Sequence, residues 1–246
     1  MGTLTAFPIR PPSRVGASTA RVAMVAAPFA VLPIALAAGA VGEVGRLVEC
    51  PPLVLAAVII TIFALGSRGL HLDGLADTAD GLTSSYDRER ALEIMRRGNT
   101  GPAGVAAVVL ALLVQSAALA AVLALPWGLL TGIVLLCLAR SSLLIACAAG
   151  IPAARDGGLG AMVAGVVPRV LGGVGALVAA AIGAAVTVLS GRPWWQGIVA
   201  VALAAVVVAG LVLRCRKRFG GITGDVLGAV IEVAAAALLV ALAAGR

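Results

Sequence analysis

The chain has little charge, few aromatic rings and no paired cysteines. Of its 246 residues only 12% are Asp, Glu, Lys or Arg, while 61% are hydrophobic. Soluble domains carry about twice that share of charge, so the composition excludes an ordinary water-soluble enzyme and points to an integral membrane protein. Cys50, Cys137, Cys147 and Cys215 form no CxxC pair, and three of them sit in or beside apolar runs. They support neither a zinc site nor a disulfide framework and read as packing residues. One Tyr and four Phe cannot supply the aromatic platforms that accompany basic residues in nucleic-acid binding. The formal charge of +7 therefore reads as cytoplasmic loops facing anionic lipid, with no nucleic-acid partner. No P-loop, HExxH or GxSxG motif is present.

What the chain does have is a series of apolar runs near the roughly 20 residues that a helix needs to cross a bilayer. Such runs imply helices rather than a barrel, and the 31 glycines suit close helix packing. The expected spans are Val22 to Gly42, Pro52 to Gly66, Gly104 to Leu125, Trp127 to Gly150, Val170 to Ser190, Trp195 to Leu213 and Val226 to Ala244. This gives an all-α polytopic membrane protein of about seven transmembrane helices in a single domain, 1–246. Pro28 and Pro33 mark kink points in the first span, and Tyr86 to Arg97 reads as an interfacial helix. With the loop after the second span cytoplasmic, only Arg46, Arg192 and Arg246 of the 18 Lys and Arg residues fall outside, and Arg140 falls within a span. That asymmetry puts the amino terminus, with its arm 1–21, in the cytoplasm.

The chemistry gathers in an acidic segment, 67–100. Within SRGLHLDGLADTADG, Asp73, Asp77 and Asp80 are separated by four and three residues, which sets all three on one narrow helix face. Like charges so placed repel. A chain with few charges that stacks three together implies a compensating cation, and hard divalent ions take oxygen ligands. Gly74 and Gly81 flank the stripe with no side chain to keep a bulky substrate away, and with Gly228 they outline a side entrance between helices. The plainer reading is a solvated helix end, or Asp and Gly acting as caps and turns.

A second signal is RFGGITGD. Gly220, Gly221, Thr223 and Gly224 precede an apolar helix, and a glycine-rich turn into a helix can offer N–H groups to phosphate; a glycine C-cap turn is the plainer alternative. Asp225 opens that helix, with Glu232 seven residues on and so on the same face. Arg140 interrupts an apolar run and requires an acidic side chain or a phosphate as partner, Glu232 being one candidate. His71 lies off the acidic stripe and reads as a hydrogen-bond donor to phosphate or a proton carrier. The acids do not follow the calcium-loop spacing. Together these features describe metal-assisted phosphoryl transfer at a membrane face, with basic residues such as Arg68 and Arg140 on the phosphate oxygens. A transporter relay through Asp225, Glu232 and Arg140 is the competing class, but repeated halves are absent.

The strings GLHLDGLADTADGL, RERALEIMRR, NTGPAGVAAVVLALL and RFGGITGDVLGAVIE closely resemble the cobalamin synthase family, the adenosylcobinamide-GDP ribazoletransferases. The resemblance implies a magnesium-dependent multi-pass enzyme of the bacterial inner membrane with its active site on the cytoplasmic side. Its substrates would be adenosylcobinamide-GDP and α-ribazole or the 5′-phosphate of α-ribazole, its products adenosylcobalamin or the 5′-phosphate and GMP. Membrane lipid is the surrounding partner, and an oligomer is permitted. On that likeness Asp73, Asp77 and Asp80 would hold Mg2+, with Asp225 a further ligand or the base for the ribazole 5′-hydroxyl. His71, Arg68, Gly74, Arg140, Gly221, Thr223 and Gly224 would receive substrate. DGxxAD also looks like a fragment of the CDP-alcohol phosphotransferase signature, whose remaining spacing is absent here. One departure stands out: after the EIM helix the family usually carries an acid, where this chain has Arg97, a candidate phosphate contact.

Overall fold

A computed structural model describes residues 16–84 and 86–244, so residues 1–15 of the expected cytoplasmic arm lie outside the described residues. The helices are α1 (Ala17–Val25), α2 (Ala27–Ala30), α3 (Leu32–Leu47), α4 (Pro52–Gly66), α5 (Leu70–Ser84), α6 (Arg88–Ile94), α7 (Pro102–Leu123), α8 (Gly128–Leu138), α9 (Leu143–Ala146), α10 (Gly158–Val163), α11 (Arg169–Leu189), α12 (Trp194–Phe219) and α13 (Gly224–Ala243). A short 3-10 turn, Ala139–Ser142, joins α8 to α9. The protein is thus all-helical, and no strand forms among the described residues beyond two isolated bridges, Ala148 with Val167 and Ala153 with Ile222.

Five helical stretches are long and apolar enough to cross a membrane, or six when α4 and α5, bent by 88°, count as one broken span. The expected single span from Val22 to Gly42 is broken instead into α1, α2 and α3, with junctions at Ala26 and Val31. The cause lies two residues further on at each junction. Pro28 and Pro33 sit in the first turns of α2 and α3, where a missing N–H is harmless, whereas a continuous helix would drive each ring into a carbonyl one turn back. In contrast α12 runs six residues beyond the expected Leu213, because Arg214 to Phe219 continue it until Gly220, at φ 81°, ends the helix in the left-handed conformation.

The core is organised around α13, which is apolar all round and packs against α5, α7, α12 and the Arg140 turn. On α7, α11 and α12 large apolar side chains face outward, among them Leu113, Leu177 and Val206, as a hydrocarbon solvent allows. Small residues set the helix spacing. A Cβ on Gly183 of α11 would stand 2.9 Å from the Gly197 carbonyl oxygen of α12, so the two backbones meet with nothing between them. Replacing Gly197 with Leu is expected to push these helices apart at a cost on the order of 1–3 kcal/mol, measured as a lower melting temperature of the detergent-solubilised protein.

Candidate active site

The segment Ser67 to Gly69 turns the chain out of α4 through two left-handed residues, Arg68 (φ 59°) and Gly69 (φ 69°). The turn sends α5 across the direction of α4 and onto the first turns of α13. Gly74 and Gly228 make that crossing close. A Cβ on Gly74 would meet the Asp225 carbonyl oxygen at 2.5 Å, and one on Gly228 would meet the His71 Cα at 2.9 Å. The expected glycine-lined entrance is therefore a packed contact at Gly74. Gly81 is filled likewise, its Cβ position 2.7 Å from the Met95 side chain. Neither Gly74 nor Gly81 lines the cavity beside the carboxylates, whereas Gly228 does.

This crossing brings Asp73 and Asp77 of α5 beside Asp225 of α13. Asp73 is exposed and Asp77 half-buried. Burial, reinforced by the carboxylates of Asp73, Asp225 and Asp80, pushes Asp77 up to about 6 against the opposing pull of Arg155. So much negative charge in one place lacks a full protein counter-charge. Asp80 is engaged elsewhere, since its Oδ2 accepts the Gly101 N–H at 2.6 Å and its Oδ1 the Gly104 N–H at 2.8 Å. Lying three residues beyond Asp77 on the buried side of α5, it holds the start of α7.

The RFGGITGD turn is tied down as well. Thr223 caps α13, accepting the Val226 N–H at 3.3 Å and donating to Asp225 Oδ2 at 3.1 Å, which fixes that carboxylate. Ile222 N–H donates to the Pro152 carbonyl and Ala154 N–H to the Ile222 carbonyl. Gly221 is pressed against the backbone of Pro152 and Ala153, where a side chain would not fit, while Gly224 rests on Leu159 of α10. The turn thus offers fewer amides to a phosphate than its glycine spacing suggests. Arg88 locks the assembly from α6, its Nε donating to the Phe219 carbonyl at 2.7 Å and a terminal nitrogen to the Ala154 carbonyl at 2.8 Å.

Arg155, on the loop so anchored, places Nη2 3.8 Å from Asp225 Oδ2, and its Nη1 is buried with no hydrogen-bond partner. The sequence reading counted Arg155 and Arg88 only among the cytoplasmic charges. The available signal was an arginine before a Gly-Gly turn in a loop on the acidic side. Arg97, the expected phosphate contact, pairs with Glu93 one turn back at 2.9 Å on the surface. Arg68 is exposed on its turn.

Arg140 does not face the aspartates. It is 3% exposed and shares a closed cavity of about 10 Å³ with Gln115 and Glu232, its guanidinium lying 5.2 Å from the centre of the Phe63 ring. Gln115 donates to Glu232 at 2.8 Å, and His71 Nδ1 stands 3.8 Å from the same carboxylate. A space of that size holds about one water and gives no path for the competing transporter relay. His71 belongs to both regions, for it also lines, with Asp73, Asp225 and Gly224, a cavity of about 240 Å³ beside the carboxylates.

This geometry can be set beside known proteins. A family model described as cobalamin-5-phosphate synthase matches residues 1–243. The chain belongs to that family. An adenosylcobinamide-GDP ribazoletransferase of Nocardioides sp. is 47% identical over 244 residues, covering 99% of this chain and 96% of the relative. Proteins of the same name from Frankia casuarinae and Pseudomonas fluorescens are 38% and 36% identical, each over 98% of this chain and over 91% and 96% of their own lengths. No solved structure matches.

Within this family member the α5–α7 junction gives a test of the site's frame. Asp80→Ala is expected to lose about 1–2 kcal/mol of stability with both acceptors of the α7 start removed, read as a fall in melting temperature. Asp80→Asn, which keeps one acceptor oxygen, is expected to lose less.

Proposed function

We propose that Asp73, Asp77, Asp225 and Arg155 form the centre at which this membrane transferase joins ribazole to adenosylcobinamide-GDP. The family and its relatives' names give the transformation; the observation that carries its location is the convergence of three carboxylates and one unsatisfied guanidinium where α5 crosses α13.

A divalent cation fits the donor set. All the donors are carboxylate oxygens, and their crowding around Asp77 leaves negative charge to be offset. Among the described residues no three His, Cys, Asp or Glu side chains are grouped to hold one ion, so at most two of these carboxylates, Asp77 with Asp73 or Asp225, would hold magnesium, with phosphate oxygens and water completing the shell. When bound, the ion supplies positive charge that polarises the diphosphate and stabilises the departing phosphate.

The chain's own residues do the remaining work. Arg155, with its Nη2 3.8 Å from Asp225 Oδ2, offers its guanidinium charge to a phosphate oxygen, and Thr223 keeps Asp225 turned toward the reacting hydroxyl as its proton acceptor. That hydroxyl is not the expected ribazole 5′-hydroxyl. The family's own description names a cobalamin 5-phosphate, so the 5′-oxygen can already carry phosphate and the attacking oxygen is another hydroxyl of the ribose. The new bond joins that oxygen to the phosphate borne by the corrinoid, the bond to the second phosphate breaks, and GMP leaves.

The charge asymmetry supports reading the acidic face as cytoplasmic and the membrane as a bacterial inner membrane. Arg68, Arg88, Arg155, Arg169 and the basic end of α12 sit at that end, while Arg46 and Arg192 sit at the other. A seventh crossing and a cytoplasmic amino terminus follow if α1 to α3 cross together.

Asp77→Asn is expected to abolish GMP formation in membranes supplied with both substrates and magnesium at normal expression. Retained turnover would move the centre elsewhere. Arg155→Ala is expected to lower kcat about 10²- to 10³-fold, the effect of removing one charge-stabilising donor from a transfer site.

A further inference from the structure

We propose that the cavity of about 240 Å³ beside the carboxylates seats the flat apolar base of the ribazole substrate. The assignment rests on the transferase reading and deepens it by giving one substrate a place. Met24, Leu70, Leu143, Leu159, Leu227 and Ile231 supply its apolar wall, drawn from five separate helices. Asp73 and Asp225 lie on the same wall, so a base held there carries its attached ribose toward the carboxylates.

Size and polarity decide the occupant. Sites for drug-sized ligands span about 300–1,000 Å³, so this cavity admits a two-ring base and excludes a corrin macrocycle, which stays on the open side of the aspartates. Guanine would match in size, but its edges carry several donors and acceptors that an apolar wall strips of water without replacement. The dimethylbenzimidazole of ribazole offers two methyl groups to the wall and one acceptor nitrogen. A single neutral polar residue stands among the lining residues, His71, and its ring nitrogens are buried without a hydrogen-bond partner, so the wall asks for an occupant with few polar groups. Of two larger cavities, one of about 700 Å³ around Glu49 and Trp127 lies at the far end of α7, on the order of 30 Å from Asp80, and one of about 490 Å³ between α7, α12 and α13 is lined by none of Asp73, Asp77 and Asp225; neither serves the reacting groups.

The test uses the full-length protein in detergent. Leu159 is half-buried on the short helix α10, so Leu159→Trp can fill the cavity with little disturbance to the core, and Ile231→Phe repeats the test from α13. The intrinsic fluorescence of 5,6-dimethylbenzimidazole reports binding of the free base without any turnover. In both variants the KM for α-ribazole is expected to rise at least tenfold and the affinity for the free base to fall equally, with the KM for adenosylcobinamide-GDP within twofold of wild type. In the wild type the riboside of unsubstituted benzimidazole is expected to bind about tenfold more weakly or worse. Unchanged ribazole KM and base affinity would overturn the proposal, as would a rise confined to adenosylcobinamide-GDP, which would assign the cavity to guanosine. A wild-type protein that forms no GMP yet binds the free base would sink the transferase centre and leave the base site standing.

Discussion

Two helices can cross in backbone contact only where neither has a side chain, and Gly74 and Gly228 meet that demand at the crossing of α5 and α13. The contact aligns the aspartates of one helix with the first turn of the other. Because Gly74 faces the Asp225 carbonyl, its neighbour Asp73 and Asp77 one turn on come up beside the Asp225 side chain. A side chain at either glycine would separate the carboxylates that the chemistry needs together.

The frame around this crossing is built from hydrogen bonds, most of them between segments far apart in the chain. Asp80 holds α7, Thr223 holds Asp225, and Arg88 fastens the 152–155 loop to the turn that leads into α13. Through these bonds the crowded carboxylates and the Arg155 loop are held in place by the fold itself. Preorganisation of this kind lets charge stabilisation act without reordering the site during the transfer. The adjoining cavity is largely apolar and touches the same carboxylates, Asp73 and Asp225, which suits it to the base proposed for it.

The architecture was legible where composition and period speak: the apolar runs from α7 to α13 fall near their expected bounds, and the Asp73–Asp77 stripe and the Asp225 turn do lie on one side of the molecule. Proline gave the position of the breaks in the first run but not their depth, since a kink and a full interruption share one sequence signal. Helical period assigned Asp80 a face and is blind to the Gly101 and Gly104 amides that cover it. For Arg140 the sequence left phosphate and Glu232 open as partners, since a charge in an apolar run requires a partner without saying which; in the fold Arg140 lies beside Gln115 and Glu232. Arg155 and Arg88 were not legible as site residues because their roles arise from loop pairing, which leaves no period to read.

The central claim is that crowded carboxylates at this crossing act through a divalent cation on a diphosphate. Its most direct test is GMP formation from adenosylcobinamide-GDP and α-ribazole by the purified protein, first with a chelator and then with magnesium restored. Activity lost to the chelator and recovered in proportion to added magnesium is the predicted result. An undiminished rate in the absence of any divalent ion would contradict the account.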